Sequence, residues 1–244
     1  MTSYSMSNSN SIVSIQLPSL FPDVSWIRNL LTSDFLVIQD HLPFSRKSRV
    51  HRGKIRTPDG TQWIHIPIHP EDRNESLYLC RLDLQSDWLT PLWRSIEFNY
   101  RNSIYFDFYE DEILAVMQDV TKATTFAEAH RILFSTWISL LEIDEPKFVY
   151  SSSKLNQVTS DKPDPLDFIS EIESAGLIIR ESQSKNYQPP IHRSVEIHKP
   201  LPQYHQHFDG FEPNCCVLDL LFQNGPESWQ ILEKLKLSPT DISQ

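Results

Sequence analysis

The chain has 244 residues, 39% hydrophobic and 11% aromatic, which supplies a packed core and excludes global disorder. With 22 Lys and Arg against 32 Asp and Glu, its formal net charge is −10. That balance argues against broad nucleic-acid binding, which needs a cationic surface that releases counterions. Five glycines, with neither G-x-G-x-x-G nor G-x-x-x-x-G-K-S/T, exclude the Gly-rich phosphate loops.

Three cysteines, Cys80 and the adjacent Cys215 and Cys216, are no disulfide framework and point to a reducing compartment. No apolar run approaches the ~18–20 residues of a membrane span. The opening MTSYSMSNSNS has neither a basic n-region nor an apolar h-region. It reads as a disordered tail over residues 1–11, and a cytoplasmic protein is expected.

Ile12 to Leu17 read as a strand that Pro18 ends. Pro22-Asp23 opens a helix through Trp26, Ile27, Leu30 and Leu31 at helical spacing. Asp34 to Ile38 is a short apolar run between polar flanks, a buried strand. Strand, helix and strand within about thirty residues have the length of a βαβ unit. A polar, basic stretch from Ser45 to Lys54 follows. A strand beginning over Lys54 to Arg56, the turn Pro58-Asp59-Gly60, and Gln62 to Ile68 form a hairpin. Leu77 to Leu84 alternates as a third strand.

The middle is helical. Thr90-Pro91 is a helix entry, and Leu89, Leu92, Trp93, Ile96 and Tyr100 mark its apolar face. Thr125-Phe126-Ala127-Glu128 is a capping box opening a second helix through Leu141. Phe148 to Tyr150 is a short strand. Asp164-Pro165 starts a helix that Leu166, Ile169 and Ile172 pack and Gly176 ends. Leu177 to Ile179 is strand-like. Glu181 to Gln206 is a long polar, irregular stretch with a strand over Ser194 to His198. A helix from near Asn214 is broken by Gly225-Pro226 and followed by a last one around Trp229 to Leu235. The fold class is α/β: a single domain with an N-terminal βαβ unit, a small antiparallel insert and a helical middle.

Four constellations can carry chemistry. Arg46, Lys47, Arg49, Arg52, Lys54 and Arg56 cluster in an otherwise acidic chain. Clustered guanidinium groups grip phosphates or carboxylates through paired hydrogen bonds, although a charge run is equally read as a solvated hairpin. Asp219 lies in Cys215 to Phe222, which is apolar on nearly every side, so the carboxylate is expected to be buried and to need a basic or backbone partner. His65 and His69, four apart in a strand, are about 13 Å apart, too far to share a metal. His205-x-His207 with Asp209 is a weak ligand spacing. Cys215 and Cys216 read as small packing residues rather than nucleophiles. No metal site is expected.

Several motifs resemble the WbqC-like family. They are Gln16 to Pro22, Asp34 to Asp40, His51-Arg52, Trp63 to Pro67, and Trp88 with Tyr100 to Phe106. The closing set is the most specific: Tyr204-x-Gln206, Phe211-x-Pro213-Asn214, Asp219 to Phe222 and Gly225-Pro226. The chain departs from the family pattern where a helical His is Leu92, a Lys is Asn102, and the Asn before Arg52 is His51. The resemblance implies a domain over residues 12–236, with 237–244 a flexible C-terminus.

It also implies a bacterial, cytoplasmic enzyme of O-antigen and other surface-polysaccharide biosynthesis. Such an enzyme modifies a nucleotide-linked sugar or similar metabolite by transfer of a small acyl or aminoacyl group. On that reading Asp40 or His51 handles a proton, Arg52 and Lys47 hold an anionic group, and Gln16, Tyr204 and Gln206 contact substrate. Asp219 is a structural anchor. The partner is a small anionic or sugar substrate, with no nucleic acid and no membrane span. Cofactor and oligomeric state are unknown at this level. A non-catalytic anion- or sugar-binding protein and a structural subunit of a biosynthetic complex are the alternatives.

Overall fold

The computed structural model describes residues 11–180, 194–195, 201 and 203–237. Of the expected tails, 1–11 and 237–244, all but Ser11 and Leu237 lie outside them, as does most of the irregular stretch after Arg180. The first elements are β1 (Ile12–Gln16), α1 (Val24–Thr32) and β2 (Phe35–Ile38). β1 and β2 pair in parallel with Val13 opposite Phe35, so the expected βαβ unit forms. Asp23 caps α1 by accepting the Trp26 N–H at 2.9 Å.

An insertion follows β2. It holds the hairpin β3 (Arg52–Thr57) and β4 (Gly60–His65), then α2 (Leu89–Tyr100), α3 (Phe106–Val120) and α4 (Phe126–Leu140). The chain returns to the main sheet as β5 (Phe148–Tyr150), passes α5 (Ser170–Glu173), and adds β6 (Leu177–Arg180) and β7 (Ser194–Val195). It closes with α6 (Val217–Asn224) and α7 (Ser228–Leu235). The five-stranded sheet runs β5-β2-β1-β6-β7, and every pairing in it is parallel.

Both faces of this sheet are covered, as parallel sheets require. Leu36 and Ile38 of β2 join the large core built by the inserted helices, with Ile55, Tyr100, Phe126, Trp137 and Phe222. Val37 points the other way, with Val13 and Ile15, and packs under Leu166, Ile169 and Ile172. Leu237 is buried against Ile179, and its N–H donates to the Thr32 hydroxyl at 3.3 Å. Among the described residues no helix is long and apolar enough to cross a membrane.

The structure corrects four local expectations. Leu77 to Leu84 is not a strand but a 3-10 turn, Leu77–Leu79, followed by single bridges at Arg81 and Leu82. Leu77 and Cys80 are buried while Leu79 is exposed, a spacing of three that alternation misreads. The Asp164 helix is two pieces, a 3-10 turn (Pro165–Phe168) and the one-turn α5, separated by Ile169. The helix expected near Asn214 starts at Val217, because the Cys216 N–H is committed to the Lys54 carbonyl at 2.8 Å. α3 has no counterpart in the sequence reading. Its buried stripe, Phe106, Tyr109, Ile113, Met117 and Val120, has helical spacing, but exposed Phe108 blurs it and no side chain caps its start.

His130 in α4 is 1% exposed and lies between the rings of Phe126 and Phe134, with Nδ1 3.0 Å from the Tyr150 hydroxyl. Burial, aided by the Arg131 charge, holds it down to about 3, so it is neutral in the fold. A free histidine titrates near 6.5, so the unfolded chain binds this proton first as pH falls. Its stability contribution is complete above that value and is lost as pH drops toward 3. His130→Gln should therefore flatten the pH dependence of unfolding free energy between pH 6 and 4. The expected change is about 1.4 kcal/mol per pH unit, one proton's worth. Urea denaturation at a series of pH values reads this slope whatever the variant's absolute stability, and an unchanged slope would contradict the assignment.

Candidate functional site

In open parallel sheets, ligands sit outside the carboxyl ends of the strands where the strand order reverses. Here β2 and β5 lie on one side of β1 and β6 and β7 on the other, so the reversal falls between β1 and β6. The chain leaving β1, Leu17-Pro18-Ser19, lines a cleft there. Its other walls include Arg49, Arg52, Lys54 and Trp63, with Asn214 from the segment before α6.

Main-chain hydrogen bonds tie these segments together. The Leu20 N–H donates to the Val50 carbonyl at 2.8 Å, the Cys216 N–H to Lys54 at 2.8 Å, and the Val217 N–H to Pro22 at 2.9 Å. Gly53 makes this approach workable, since a Cβ there would lie 2.5 Å from the Phe21 Cβ.

The cleft is cationic. The Arg52 guanidinium carbon lies 4.4 Å from the centre of the Trp63 ring, Lys54 Nζ 5.4 Å and the Arg49 guanidinium carbon 5.8 Å. Asp23 is the carboxylate in the lining, 3.7 Å from Arg49. Arg52 is oriented by donating from Nη2 to the Lys47 carbonyl at 2.9 Å, while its Nε is buried without a hydrogen-bond partner. The Lys47 side chain itself is exposed and outside the lining. The enclosed volume is about 20 Å³, so the cleft itself admits a group about the size of a water. Behind Arg52, the His51 ring packs edge-on to Phe44 with centroids 5.1 Å apart. Burial, with Arg52 and His65 nearby, pushes His51 down to about 4, which leaves it neutral at neutral pH.

Asp40 sits apart, where β2 and β5 end. It is buried and accepts from the Ser151 hydroxyl at 3.1 Å, the Ser152 N–H at 2.8 Å and the Ser152 hydroxyl at 2.6 Å. His41 Nδ1 is 2.6 Å from the Ser151 oxygen, and its Nε2 is 4.0 Å from Asp164. With Ser151 donating to Asp40, His41 donates to Ser151. Burial lowers the His41 pKa, against the pull of Asp164 and Asp40.

Asp219 is wholly buried, and three neutral donors hold it. The Tyr100 hydroxyl donates to one carboxylate oxygen at 2.9 Å, and the Tyr204 hydroxyl and Gln206 Nε2 donate to the other, each at 2.8 Å. The Arg56 N–H donates to the Tyr100 hydroxyl at 2.8 Å, and the Gln206 side chain exchanges two hydrogen bonds with the Glu212 backbone. Burial raises the Asp219 pKa against those three donors and the Arg56 charge. The expected basic or main-chain partner is thus replaced by two tyrosines and a glutamine. Arg56 donates to the carbonyls of Thr57, Gly60 and Asp209 instead.

The structure therefore gives the expected residues four separate surroundings. Tyr204, Gln206 and Asp219 form one network, and Arg52 lines the cleft in front of His51. Asp40 is held by serines. Gln16 is buried under α1, its amide donating to the Trp26 carbonyl and accepting from Asn29, each at 3.3 Å. Sequence reasoning missed Trp63, Asp23 and Asn214 in the cleft, Ser151 and Ser152 around Asp40, and Tyr100 on Asp219. The basic cluster pointed to Arg49 and Lys54 without separating them from Lys47. Burial raises all three thiols, Cys80 and Cys216 to about 12, so none is a thiolate at neutral pH. No group of three or more His, Cys, Asp or Glu among the described residues is arranged to hold a metal ion.

Two comparisons bear on this geometry. A sequence model of the WbqC-like protein family matches residues 17–231. The uncharacterized protein Rv1507c of Mycobacterium tuberculosis is 24% identical over 202 residues, covering 80% of this chain and 86% of its own length.

Asp219→Asn puts an amide N–H₂ where tyrosine and glutamine donors converge. Leaving buried donors without an acceptor costs about 1–3 kcal/mol each. The variant should melt several degrees lower by calorimetry, and Tyr204→Phe, which also removes a donor, by less. An Asp219→Asn protein that melts unchanged but has lost ligand binding or activity would move this residue out of the anchor role.

Proposed function

The chain belongs to the WbqC-like protein family, and from that premise we propose that it binds the anionic group of a nucleotide-linked sugar or similar metabolite at the cationic cleft. On this reading it modifies the sugar in the cytoplasm by transfer of a small acyl or aminoacyl group, within surface-glycan biosynthesis. The observation that carries the proposal is the gathering of Arg49, Arg52 and Lys54 around Trp63 against a single lining carboxylate, at the carboxyl end of β1 beside the strand-order reversal, in a chain of net charge −10.

Each residue then has a distinct task. Arg52 offers a guanidinium fork to phosphate oxygens, and Arg49 and Lys54 add charge around it. Lys47 contributes through its carbonyl, which orients Arg52. Tyr204, Gln206 and Asp219 act as positioning residues that fix the segment leading to Asn214. Gln16 acts likewise through α1. His51 is the proton-handling candidate adjacent to the cleft cation in sequence. Asp40 serves as a fastener between the ends of β2 and β5.

A second reading, a non-catalytic anion-binding protein, is favoured by a specific feature. General bases work best with a pKa near the operating pH. His51 is pushed down to about 4, and the Asp40 oxygens already accept three hydrogen bonds.

Isothermal titration with UDP-, dTDP- and GDP-sugars tests the binding claim common to both readings. Arg52→Ala should weaken affinity at least about tenfold, or about 1.4 kcal/mol. Lys47→Ala keeps the carbonyl that holds Arg52 and should stay within about twofold of native, or about 0.4 kcal/mol. Equal losses would mean a diffuse basic surface, and no binding by any sugar nucleotide would remove this ligand class. Product formation from the bound sugar nucleotide separates the enzyme from the binding protein.

A further inference from the structure

A second cavity lies on the opposite edge of the parallel sheet from the cationic cleft. Asp34, just before β2, and Lys147, just before β5, line it, so it opens at the amino ends of those strands. Its volume is about 540 Å³, within the range of roughly 300–1,000 Å³ typical of small-molecule sites. The apolar lining that remains accessible is Leu31 of α1, Ile143 and Pro146, above the already buried Leu30, Leu36, Leu141 and Leu232. Trp229 of α7 lines it while remaining 48% exposed.

The polar lining carries the opposite sign to the cleft. Asp34, Glu142, Asp144, Glu145 and Glu233 face two lysines, Lys147 and Lys236. Asp34 is partly engaged, accepting the Ile12 N–H at 2.9 Å. The other four carboxylates make no side-chain hydrogen bond or ion pair among the described residues. A wall of carboxylates over an apolar floor suits a ligand with a positive charge on an apolar body. The body covers Leu31, Ile143 and Pro146, and the charge meets the carboxylates and the indole face, which attracts cations. A bare metal ion would gain nothing from the floor, and a neutral hydrocarbon nothing from the acids.

We infer that this cavity is a binding site for a small organic amine, an aliphatic or aromatic ammonium, separate from the anion cleft. The site is independent of the function proposed above, because it shares no lining residue with the cleft.

The test uses the full chain and isothermal titration with phenethylamine, cadaverine and agmatine, beside 2-phenylethanol as the neutral counterpart of the first. At least one amine should bind saturably at one site. Its affinity should fall on raising the salt, since part of the attraction is between screened charges. For phenethylamine, 2-phenylethanol should bind at least tenfold more weakly. Two variants carry the assignment to the cavity: Trp229→Ala and the double change Glu145→Gln with Glu233→Gln. Each should weaken the amine at least fivefold with an unchanged circular dichroism spectrum. All these positions are exposed, so the fold is expected to hold, and if one variant misfolds the other still decides. Arg52→Ala should leave amine binding as it was. The proposal is overturned if no amine binds saturably, if the alcohol binds as well as phenethylamine, if folded variants bind like native, or if Arg52→Ala abolishes binding.

Discussion

One buried carboxylate fixes how the parts of this molecule meet. Asp219 has lost all contact with water, and an ionised group in that position is tolerable only when donors surround it. Its three donors come from α2 and from the segment before α6, and one of them, Tyr100, also accepts the N–H of Arg56 in β3. The hairpin, the helical insertion and the closing segment are thus held to one point. Neutral donors stabilise the charge without introducing a second ion at contact distance. A neighbouring buried charge, the Arg56 guanidinium, donates to three carbonyls, leaves its Nε without a partner, and acts on Asp219 through its field. The cost is visible in the raised pKa, because burial outweighs the donors.

The cleft inherits its geometry from that arrangement. β3 runs from Arg52, in the cleft wall, to Arg56, beside the Asp219 network, within one strand. The same strand receives the Cys216 N–H just before α6, so Asn214 is carried to the cleft by the segment that Gln206 pins through Glu212. A side-chain change deep in the network can therefore reach the cleft through the backbone. The Asp40 cluster works on a smaller scale, closing the ends of β2 and β5 with serine donors.

Charge is sorted by the sheet. Cations gather at the carboxyl end of β1, and carboxylates at the amino ends of β2 and β5. A net charge of −10 describes neither edge. Several buried groups, by contrast, are held in their neutral forms. His130 and His51 are lowered, and the thiols and the tyrosines at Asp219 are raised, each chiefly by burial.

The sequence by itself determined the features that are local in the chain. The βαβ opening, the hairpin at Pro58-Asp59, the Thr125 capping box and the burial of Asp219 are written in spacings of a few residues, and periodicity and turn chemistry expose them. Even local signals failed where an exposed aromatic broke the stripe, as Phe108 did in α3, or where a 3-10 turn mimicked alternation, as at Leu77. The tertiary structure alone decided which cation of the basic cluster lines the cleft. Lys47 and Arg49 look alike in sequence, but the turn before β3 leaves Lys47 outside and brings Arg49 to Trp63 and Asp23. It also decided what surrounds Asp219 and Asp40. Tyr100 is 119 residues from Asp219, and Ser151 is 111 from Asp40. Such partners meet only when the insertion between β2 and β5 has folded, because hydrogen bonds depend on distance in space and leave no periodicity along the chain.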